Sequence, residues 1–145
     1  MKALIQRVSS ASVEVAGETI GAIDRGILVF LGLDKGDDEV IAERMLDKVL
    51  AYRLFADSEG RMNRSVADIN GGVLLVSQFT LAADTDKVLR PGFSSALPPE
   101  PARRLYDFIL QRLRQCHESV AAGAFGADMQ VTLCNDGPVT FMLEL

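Results

Sequence analysis

Apolar and polar residues alternate through two stretches near the start of the chain, residues 3–8 and residues 12–16. An alternation with a period of two is typical of a β-strand with one buried face. Gly17 and Glu18 then predict a two-residue hairpin turn, from which the chain returns through residues 19–24. We therefore predict antiparallel strands in the first third of the chain.

Two later runs are apolar on both faces, residues 27–33 and residues 73–81. Runs of this length without alternation are typical of strands at the centre of a sheet. The second run is continuously apolar only as far as Val76. Polar residues then enter it at its carboxyl end, in the sequence Ser77-Gln78-Phe79-Thr80.

Apolar residues with helical spacing predict two helices, over residues 38–52 and residues 102–116. Acidic residues begin the first helix and a proline-rich stretch precedes the second, as expected at helix N-termini. Residues 129–134 and 139–145 alternate again, and residues 135–138 lie between them. We predict one α+β domain over residues 1–145, in which mostly antiparallel β-sheets form a barrel-like core that two main helices flank.

The composition excludes several classes of protein. Of the 145 residues, 48% are hydrophobic and 24% are charged, which is the usage of a globular chain and not of a disordered one. No apolar run approaches the ~20 residues that cross a bilayer, and no signal peptide is recognisable at the N-terminus. We therefore expect a cytoplasmic protein without a membrane partner. The net charge of −5 excludes a uniformly basic surface for nucleic acid, but not a local basic patch.

The histidine and cysteine counts narrow the possible chemistry. His117 is the one histidine, so a histidine-rich zinc site is excluded and a Ser-His-Asp triad would depend on it. We expect His117 to cap the second helix or to lie at the surface. Cys116 and Cys134 lack the spacing of a metal site, and we expect two reduced, buried thiols.

Two short polar segments have both a structural and a functional interpretation. Ser77-Gln78-Phe79-Thr80 is either a strand that ends in solvent or a site at the end of a strand. Asn135-Asp136-Gly137-Pro138 is either a plain turn or a backbone segment that approaches a ligand. The Gly-Pro pair can also adopt a cis peptide at small cost.

A set of basic residues lies in the irregular regions of the chain and at the start of the second helix. Its members are Arg61, Arg64, Lys87, Arg90, Arg103 and Arg104. On an acidic protein this set is either a local phosphate-binding patch or a group of scattered, solvated charges.

The two polar segments together resemble the D-aminoacyl-tRNA deacylase family. The matching residues are Ser77-Gln78-Phe79-Thr80-Leu81 and Asn135-Asp136-Gly137-Pro138-Val139-Thr140. Gln6-Arg7-Val8, Ala11-Ser12-Val13, Arg90-Pro91 with Phe93-Ser94, and residues 123–129 also fit, so the resemblance extends over nearly the whole chain.

The resemblance implies a homodimer that hydrolyses the ester between a D-amino acid and the terminal ribose of tRNA, with each active site at the subunit interface. Residues Ser77, Gln78, Phe79 and Thr80 would form the catalytic floor and hold the ester. Gly137 and Pro138, joined by a cis peptide, would reach into the partner's pocket as a filter against L-amino acids. Arg7 would brace this Gly-Pro segment, and Phe125 and Met129 would line the substrate pocket. Glycine on tRNA, including glycine mischarged on alanine tRNA, would pass the filter.

Several alternatives remain open at this stage. We expect backbone N–H groups at Phe79 and Thr80 to stabilise the oxyanion, with water as the nucleophile and the ribose 2′-hydroxyl assisting. The alternative is Thr80 as a covalent nucleophile, although no His or Lys stands beside it in the sequence. Lys87, Arg90, Arg61 and Arg64 are the candidates for tRNA contact, and no metal or cofactor is expected. The competing functions are a general small-ester hydrolase and a non-catalytic dimer that binds RNA or another ligand.

Overall fold

A computed structural model describes residues 1–85 and 89–145. The strands are β1 (Lys2–Val15), β2 (Glu18–Ile23), β3 (Gly26–Gly32), β4 (Phe55–Ala56), β5 (Met62–Arg64), β6 (Gly72–Ser77), β7 (Val120–Ala122) and β8 (Gln130–Glu144). The helices are α1 (Glu39–Ala51) and α2 (Pro99–Cys116), with a short 3₁₀ helix over Phe79–Ala82.

The main sheet is organised around the long strand β1. β8 runs antiparallel along one edge of β1, while β3 and β2 pair with the first and second halves of its other edge. Beyond β3 the order continues with β6 and β7, both joined in parallel pairs. β2 also contacts β7, so the sheet nearly closes on itself. The α+β class, the mostly antiparallel pairing and the barrel-like core are confirmed.

Two apolar clusters form the core. The larger one joins the sheet to both helices, with residues such as Ile5, Met45 and Ile109 buried between them. The smaller one, with Val13 and Leu74 among its members, lies on the opposite face of the sheet. The prediction of two helices that cover a sheet is therefore confirmed, and α1 begins where the side chain of Asp38 accepts the N–H of Ile41 at 2.9 Å.

Several local predictions are wrong. β6 ends at Ser77 instead of continuing to residue 81, because the chain turns there into the 3₁₀ helix. Of the two interpretations of residues 135–138, the plain turn is not found, because β8 continues through these residues with a change of register against β1.

The side chains of His117 and the cysteines also differ from expectation. His117 is the C-cap residue of α2, as expected, but its ring is buried and Nε2 lies 2.6 Å from the carbonyl oxygen of Gly71. This hydrogen bond lets the α2 terminus pack against the start of β6. Cys116 and Cys134 are free thiols, but both are exposed.

No helix within residues 1–85 and 89–145 is long and apolar enough to cross a membrane. The cytoplasmic location stays a prediction.

Candidate active site

A cleft of about 690 Å³ opens where β6 ends. Its floor contains Val76, Ser77, Gln78 and Phe79, so three of the four predicted catalytic residues line it. Thr80 follows directly in the 3₁₀ helix but is exposed and is not among the lining residues. The rest of the wall is largely apolar and includes residues of β3, the N-terminal end of α2 and the segment before β8.

The turn at the end of β6 depends on a close approach to β3. The N–H of Gln78 donates to the carbonyl of Leu31 at 2.7 Å, and this bond ends the pairing of the two strands. A Cβ at Gly32 would lie 2.7 Å from the Cβ of Leu81, so the 3₁₀ helix packs here because the position is glycine. Lys2 Nζ also donates to the carbonyl of Leu81 at 3.2 Å. These hydrogen bonds, together with the close packing at Gly32, fix the position of the backbone that forms the cleft floor.

The backbone N–H groups of Phe79 and Thr80 stand at the start of the 3₁₀ helix. The first N–H groups of any helix lack a partner within that helix. Within the described part of the chain, neither of these two N–H groups has a hydrogen-bond acceptor. The Nε2 of Gln78 donates to the hydroxyl of Thr80, so this hydroxyl has a neutral amide donor as its partner. The floor thus offers main-chain donors at the edge of a largely apolar cleft.

Aromatic side chains stand on both sides of the cleft. Phe79 packs against Phe93 with ring centroids 5.0 Å apart, and both rings remain substantially exposed. On the other side, Phe125 packs against Tyr106 at 5.6 Å, and the guanidinium of Arg103 lies 5.0 Å from its ring centroid. The predicted pocket residues Phe125 and Met129 are therefore both placed in the cleft wall.

Tyr106 supports this wall from inside the core. Its hydroxyl donates to the carbonyl of Leu75 at 3.0 Å. Burial penalises the phenolate and, together with the nearby carboxylate of Asp107, raises the pKa of Tyr106 to about 12. Tyr106 therefore stays neutral at physiological pH and acts as a fixed hydrogen-bond donor.

Some cleft residues had no signal in the sequence. Lys35 and residues 96–99 line the cleft; Lys35 and residues 96–98 lie in irregular segments without hydrophobic periodicity, and Pro99 is the first residue of α2. Two backbone hydrogen bonds hold these segments together, from Lys35 to Ser95 at 2.8 Å and from Leu97 to Leu33 at 2.9 Å. Only the tertiary fold brings them to the cleft.

The Gly137-Pro138 segment forms a wide bulge in β8. Gln6 pairs with Thr140 and Val8 pairs with Asn135, so the single residue Arg7 stands opposite residues 136–139. The Gly137-Pro138 peptide is cis, and both residues are exposed. Gly137 has φ +139°, a conformation that L side chains rarely adopt.

Hydrogen bonds hold the bulge on both of its sides. Asn135 Oδ1 accepts the N–H of Val139 at 2.8 Å, and its Nδ2 donates to the Thr140 hydroxyl at 2.9 Å. Arg7 Nε donates to the carbonyl of Asp136 at 2.9 Å. The Asp136 carboxylate lies 3.5 Å from the same Nε. The backbone of residues 136–138 is thus presented to solvent in one fixed shape.

The bulge and the cleft lie at opposite ends of the sheet. Arg7 pairs with Ile27, which pairs with Val73 on β6, four residues before Ser77. Four residues of a strand span roughly 13 Å along the strand. The sideways distance across β1 and β3, which lie between β8 and β6, adds to this separation. Gly137, Pro138 and Arg7 accordingly do not line the cleft of their own chain.

The basic residues do not form one patch. Arg61 and Arg64 lie on the β4–β5 hairpin, whose base contacts Arg7 beside the bulge. Arg90 is exposed in the segment that leads to Phe93, and Arg103 lies at Phe125 on the cleft wall. Arg104 pairs with Glu100 at 3.3 Å on the surface of α2. Lys87 lies outside the described residues.

The described residues hold no group of three or more His, Cys, Asp or Glu side chains placed to bind a metal ion.

Comparison with known proteins identifies the family. The model of the family described as "D-Tyr-tRNA(Tyr) deacylase" matches residues 4–144. A D-aminoacyl-tRNA deacylase from Stutzerimonas stutzeri is 61% identical over 144 residues, which cover 99% of both chains.

Solved structures match over the same length. A structure described as "c-Myc DNA Unwinding Element Binding Protein" has a TM-score of 0.96 at 44% identity and covers 100% of this chain and 99% of its own. A structure described as "Structural Analysis of a probable eukaryotic D-amino acid tRNA deacylase" has a TM-score of 0.85 at 14% identity, with 99% and 98% covered, and shows the fold alone. With the family model and the close relative, these findings show that the chain belongs to the D-Tyr-tRNA(Tyr) deacylase family and is a hydrolase that acts on ester bonds.

Proposed function

We propose that the protein hydrolyses the ester of D-aminoacyl-tRNA to a free D-amino acid and tRNA, and that it rejects L-aminoacyl-tRNA through the Gly137-Pro138 backbone of a second subunit. The observation that carries this proposal is the position of two N–H groups that have no acceptor among the described residues, one on Phe79, which lines the cleft, and one on Thr80, the next residue. A family of ester hydrolases needs donors at such a place, because attack on an ester carbonyl produces an oxyanion.

In this mechanism the ester carbonyl lies over the start of the 3₁₀ helix. The N–H groups of Phe79 and Thr80 donate to its oxygen as the tetrahedral intermediate forms. Because the floor is held by Gln78 and Lys2 through the hydrogen bonds described above, these donors are oriented before the substrate binds. Preorganised donors of this kind contribute about 3–4 kcal/mol each to transition-state stabilisation in enzymes that use them.

Water is the nucleophile in the proposed reaction, and the ribose 2′-hydroxyl of the substrate assists it. The oxygen of water forms a bond to the ester carbon, the bond to the ribose 3′-oxygen breaks, and that oxygen leaves with a proton. The alternative nucleophile is the Thr80 hydroxyl. It is less well supported, because its hydrogen-bond partner is the amide of Gln78, which cannot act as a base.

Chirality is read by backbone carbonyls in this proposal. The carbonyls of Gly137 and Pro138 accept hydrogen bonds from the α-ammonium of the substrate. With the ammonium and the ester both held, an L side chain points into the Gly-Pro backbone and a D side chain points away from it. Glycine has no side chain to reject, so glycyl-tRNA, including glycine mischarged on alanine tRNA, is also a substrate.

A homodimer is needed for this filter to work. The bulge is exposed and lies at least roughly 13 Å from the cleft floor of its own chain, so it serves a cleft only in another copy. A twofold arrangement places each bulge in the other subunit's cleft at the same time. Arg7 then acts as a positioning residue, because it holds the Asp136 carbonyl directly before Gly137.

Contacts to the tRNA itself are expected to be directed at phosphates. Arg90 and Lys87 precede the cleft-lining Phe93 in the sequence, and Arg61 and Arg64 lie on the hairpin beside the bulge. The protein carries a net charge of −5, so these residues act as local sites on an otherwise acidic surface.

One assay tests the proposal against its competitors. It measures the release of D-tyrosine from D-tyrosyl-tRNA, with L-tyrosyl-tRNA and a free D-tyrosine ester as the comparison substrates. The proposed function predicts rapid release from the D-form of the charged tRNA only. Equal rates on the free ester would identify a general small-ester hydrolase, and binding of tRNA without release would identify a non-catalytic module.

A further inference from the structure

The β4–β5 hairpin and the Gly137-Pro138 bulge are joined through one side chain. The Arg7 guanidinium donates from Nη1 to the carbonyl of Leu54 at 2.8 Å, and from Nε to the carbonyl of Asp136 at 2.9 Å. Leu54 directly precedes β4, and its N–H donates to the main-chain carbonyl of Arg64, at the end of β5, at 3.0 Å. Because Arg7 bonds to both segments, a molecule that contacts the bulge also lies close to the base of the hairpin.

Two carboxylates, one in the hairpin and one shortly after β5, accept hydrogen bonds from nearby backbone N–H groups. Asp57 accepts the N–H groups of Glu59 and Arg61 at 2.9 Å each, and the Asn63 amide at 2.8 Å. Asp68 accepts the N–H of Ser65 at 2.7 Å in the same way. These hydrogen bonds lower the pKa of both carboxyls and hold each carboxylate against the backbone next to it.

The arginines of the hairpin face outward instead. Arg53, Arg61 and Arg64 are all exposed. Within the part of the chain that the structure describes, the Arg61 side chain pairs with Glu59 alone, at 3.5 Å, and exposed pairs of this kind contribute little to stability. Arg64 is exposed and donates one N–H to the Asp68 carbonyl at 2.8 Å, and its charge also helps to lower the pKa of the Asp68 carboxyl. Exposed arginines at the hairpin are suited to binding the phosphates of a flexible single strand of RNA.

We infer that the β4–β5 hairpin of one subunit binds the phosphates of the tRNA whose 3′ end occupies the other subunit's cleft. The inference rests on the proposed function, in which the bulge enters the partner's cleft. The hairpin tip lies about three residues beyond its base, or roughly 10 Å. It therefore reaches past the terminal adenosine to the nucleotides that precede it, while Arg90 serves the cleft of its own chain.

The first experiment compares two substrates with matched variants of the homodimer. Arg61→Glu removes a hairpin cation, and Arg44→Glu makes the same charge change at an exposed position of α1. On D-tyrosyl-tRNA at low salt, we expect Arg61→Glu to raise KM on the order of tenfold with kcat unchanged. Arg44→Glu should leave both unchanged. On D-tyrosyl-adenosine, which has no phosphates, both variants should match the unmodified protein.

The second experiment identifies the subunit. Mixed dimers are purified through two different affinity tags, one on each kind of subunit. The first subunit carries Ala127→Trp, which blocks its cleft, and keeps an intact bulge. The second subunit carries Gly137→Ala, which inactivates its bulge, and keeps an open cleft. Under the proposed function, one cleft stays active, because an open cleft meets an intact bulge. Placing both changes on the same subunit should abolish activity. If that arrangement is the active one, the bulge serves its own cleft, and both the proposed filter and this inference are wrong.

Arg61→Glu is then added to the active mixed dimer, in either subunit. We expect the tenfold rise in KM only when it is on the plugged subunit, which carries the intact bulge. A rise only from the subunit with the open cleft would show that the hairpin acts on its own chain, and no rise from either would show that it does not contact the tRNA. Either result overturns the inference but leaves the proposed function standing. Ala96→Trp, on the opposite wall, replaces the plug if the first variant does not assemble.

Discussion

Arg7 donates a hydrogen bond from Nε to the main-chain carbonyl of Asp136 at 2.9 Å, and so fixes the residue that directly precedes Gly137. Arg7 occupies the place on β1 where the partner strand β8 bulges outward over residues 136–139. One guanidinium thus supports a backbone segment that would otherwise lack a ladder partner.

Replacing Arg7 with lysine should uncouple this segment without removing the charge. An ammonium cannot reproduce the fork that reaches the carbonyls of both Asp136 and Leu54. We expect Arg7→Lys to lower the free energy of unfolding by about 1–2 kcal/mol. It should lower kcat/KM on D-aminoacyl-tRNA by about tenfold and reduce the preference for D- over L-substrate. The measurement is the ratio of deacylation rates on D- and L-tyrosyl-tRNA.

Arg112→Lys is the control for this change. Arg112 pairs with Glu43 at 3.1 Å on the surface between the two helices. Its replacement should leave the D/L ratio unchanged. If Arg7→Lys also leaves the ratio unchanged while it lowers stability, Arg7 has a purely structural role.

Gly137→Ala should abolish most of the activity of an otherwise folded protein. A Cβ there would lie 2.7 Å from Cγ2 of Val139 and 3.1 Å from Nη2 of Arg7, at φ +139°. The carbonyls of Gly137 and Pro138 must therefore move, and we expect kcat/KM to fall more than about tenfold. The unfolding free energy should fall by about 1–3 kcal/mol.

Gly36→Ala separates backbone strain from function. Gly36 has φ +93°, and a Cβ at this position meets nothing within 4 Å. This variant should lose stability to a similar degree and keep full activity in the same assay. Equal activity of the two variants would argue against a filter at Gly137.

The sequence predicted elements well wherever one face of an element is buried and the other is exposed. The apolar spacing predicts α1 over residues 38–52 and the helix runs over Glu39–Ala51, because this spacing and the Asp38 cap act within one local segment. The bulge was not predicted, because alternation resumes after residues 135–138 whether the chain makes a turn or a bulge. Pairing with β1 decides between these, and that information lies at Arg7, far away in the chain.

In the candidate site, too, local sequence patterns indicate some residues, while others depend on contacts with distant parts of the chain. Ser77, Gln78 and Phe79 could be recognised because polar residues end an apolar strand, and Phe125 and Met129 because of the family resemblance. The 3₁₀ helix at Phe79–Ala82 could not be predicted, since it depends on the space above Gly32 on a neighbouring strand. Lys35 lies beside the cleft in an irregular segment that backbone hydrogen bonds join to residues 95–97, and no local pattern in the sequence indicates this pairing.

Thr80→Ala distinguishes the two nucleophiles. If water attacks the ester, the N–H of residue 80 remains in place and kcat should stay within about threefold of the unmodified value. If the hydroxyl of Thr80 attacks, kcat should fall by a factor on the order of 10⁴ or more. Single-turnover kinetics with acid quenching will detect an acyl-enzyme if one forms. Thr132→Ala, at an exposed position on β8, is the control.

Salt should weaken the action on tRNA but not on a substrate without phosphates. Each phosphate contact releases counterions, and the logarithm of kcat/KM should fall with the logarithm of salt concentration by about 0.7 per contact for a single strand. D-tyrosyl-adenosine should show almost no slope under the same subsaturating conditions. A flat response on D-tyrosyl-tRNA would contradict the assignment of Arg61, Arg64 and Arg90 to tRNA contacts.

Tyr106 gives the protein a predictable loss of stability at high pH. Burial raises the pKa of its hydroxyl to about 12, whereas the unfolded chain titrates near 10. Below pH 10 the hydroxyl is protonated in both states, so this stabilisation is fully present. Between pH 10 and pH 12 only the unfolded chain releases the proton, and the free energy of unfolding should fall by about 2–3 kcal/mol.

Tyr106→Phe isolates this effect from the other groups that titrate at high pH. The variant loses the bond to the Leu75 carbonyl, which still accepts the N–H of Gly123 at 2.9 Å. It should therefore be about 1 kcal/mol less stable than the unmodified protein at pH 8. As the pH passes 10 the difference should shrink and then change sign, because phenylalanine has no proton to lose. Urea unfolding of both proteins at pH 8, 10 and 11.5 measures the difference, and a constant value across this range would show that Tyr106 is not protected from ionisation by burial.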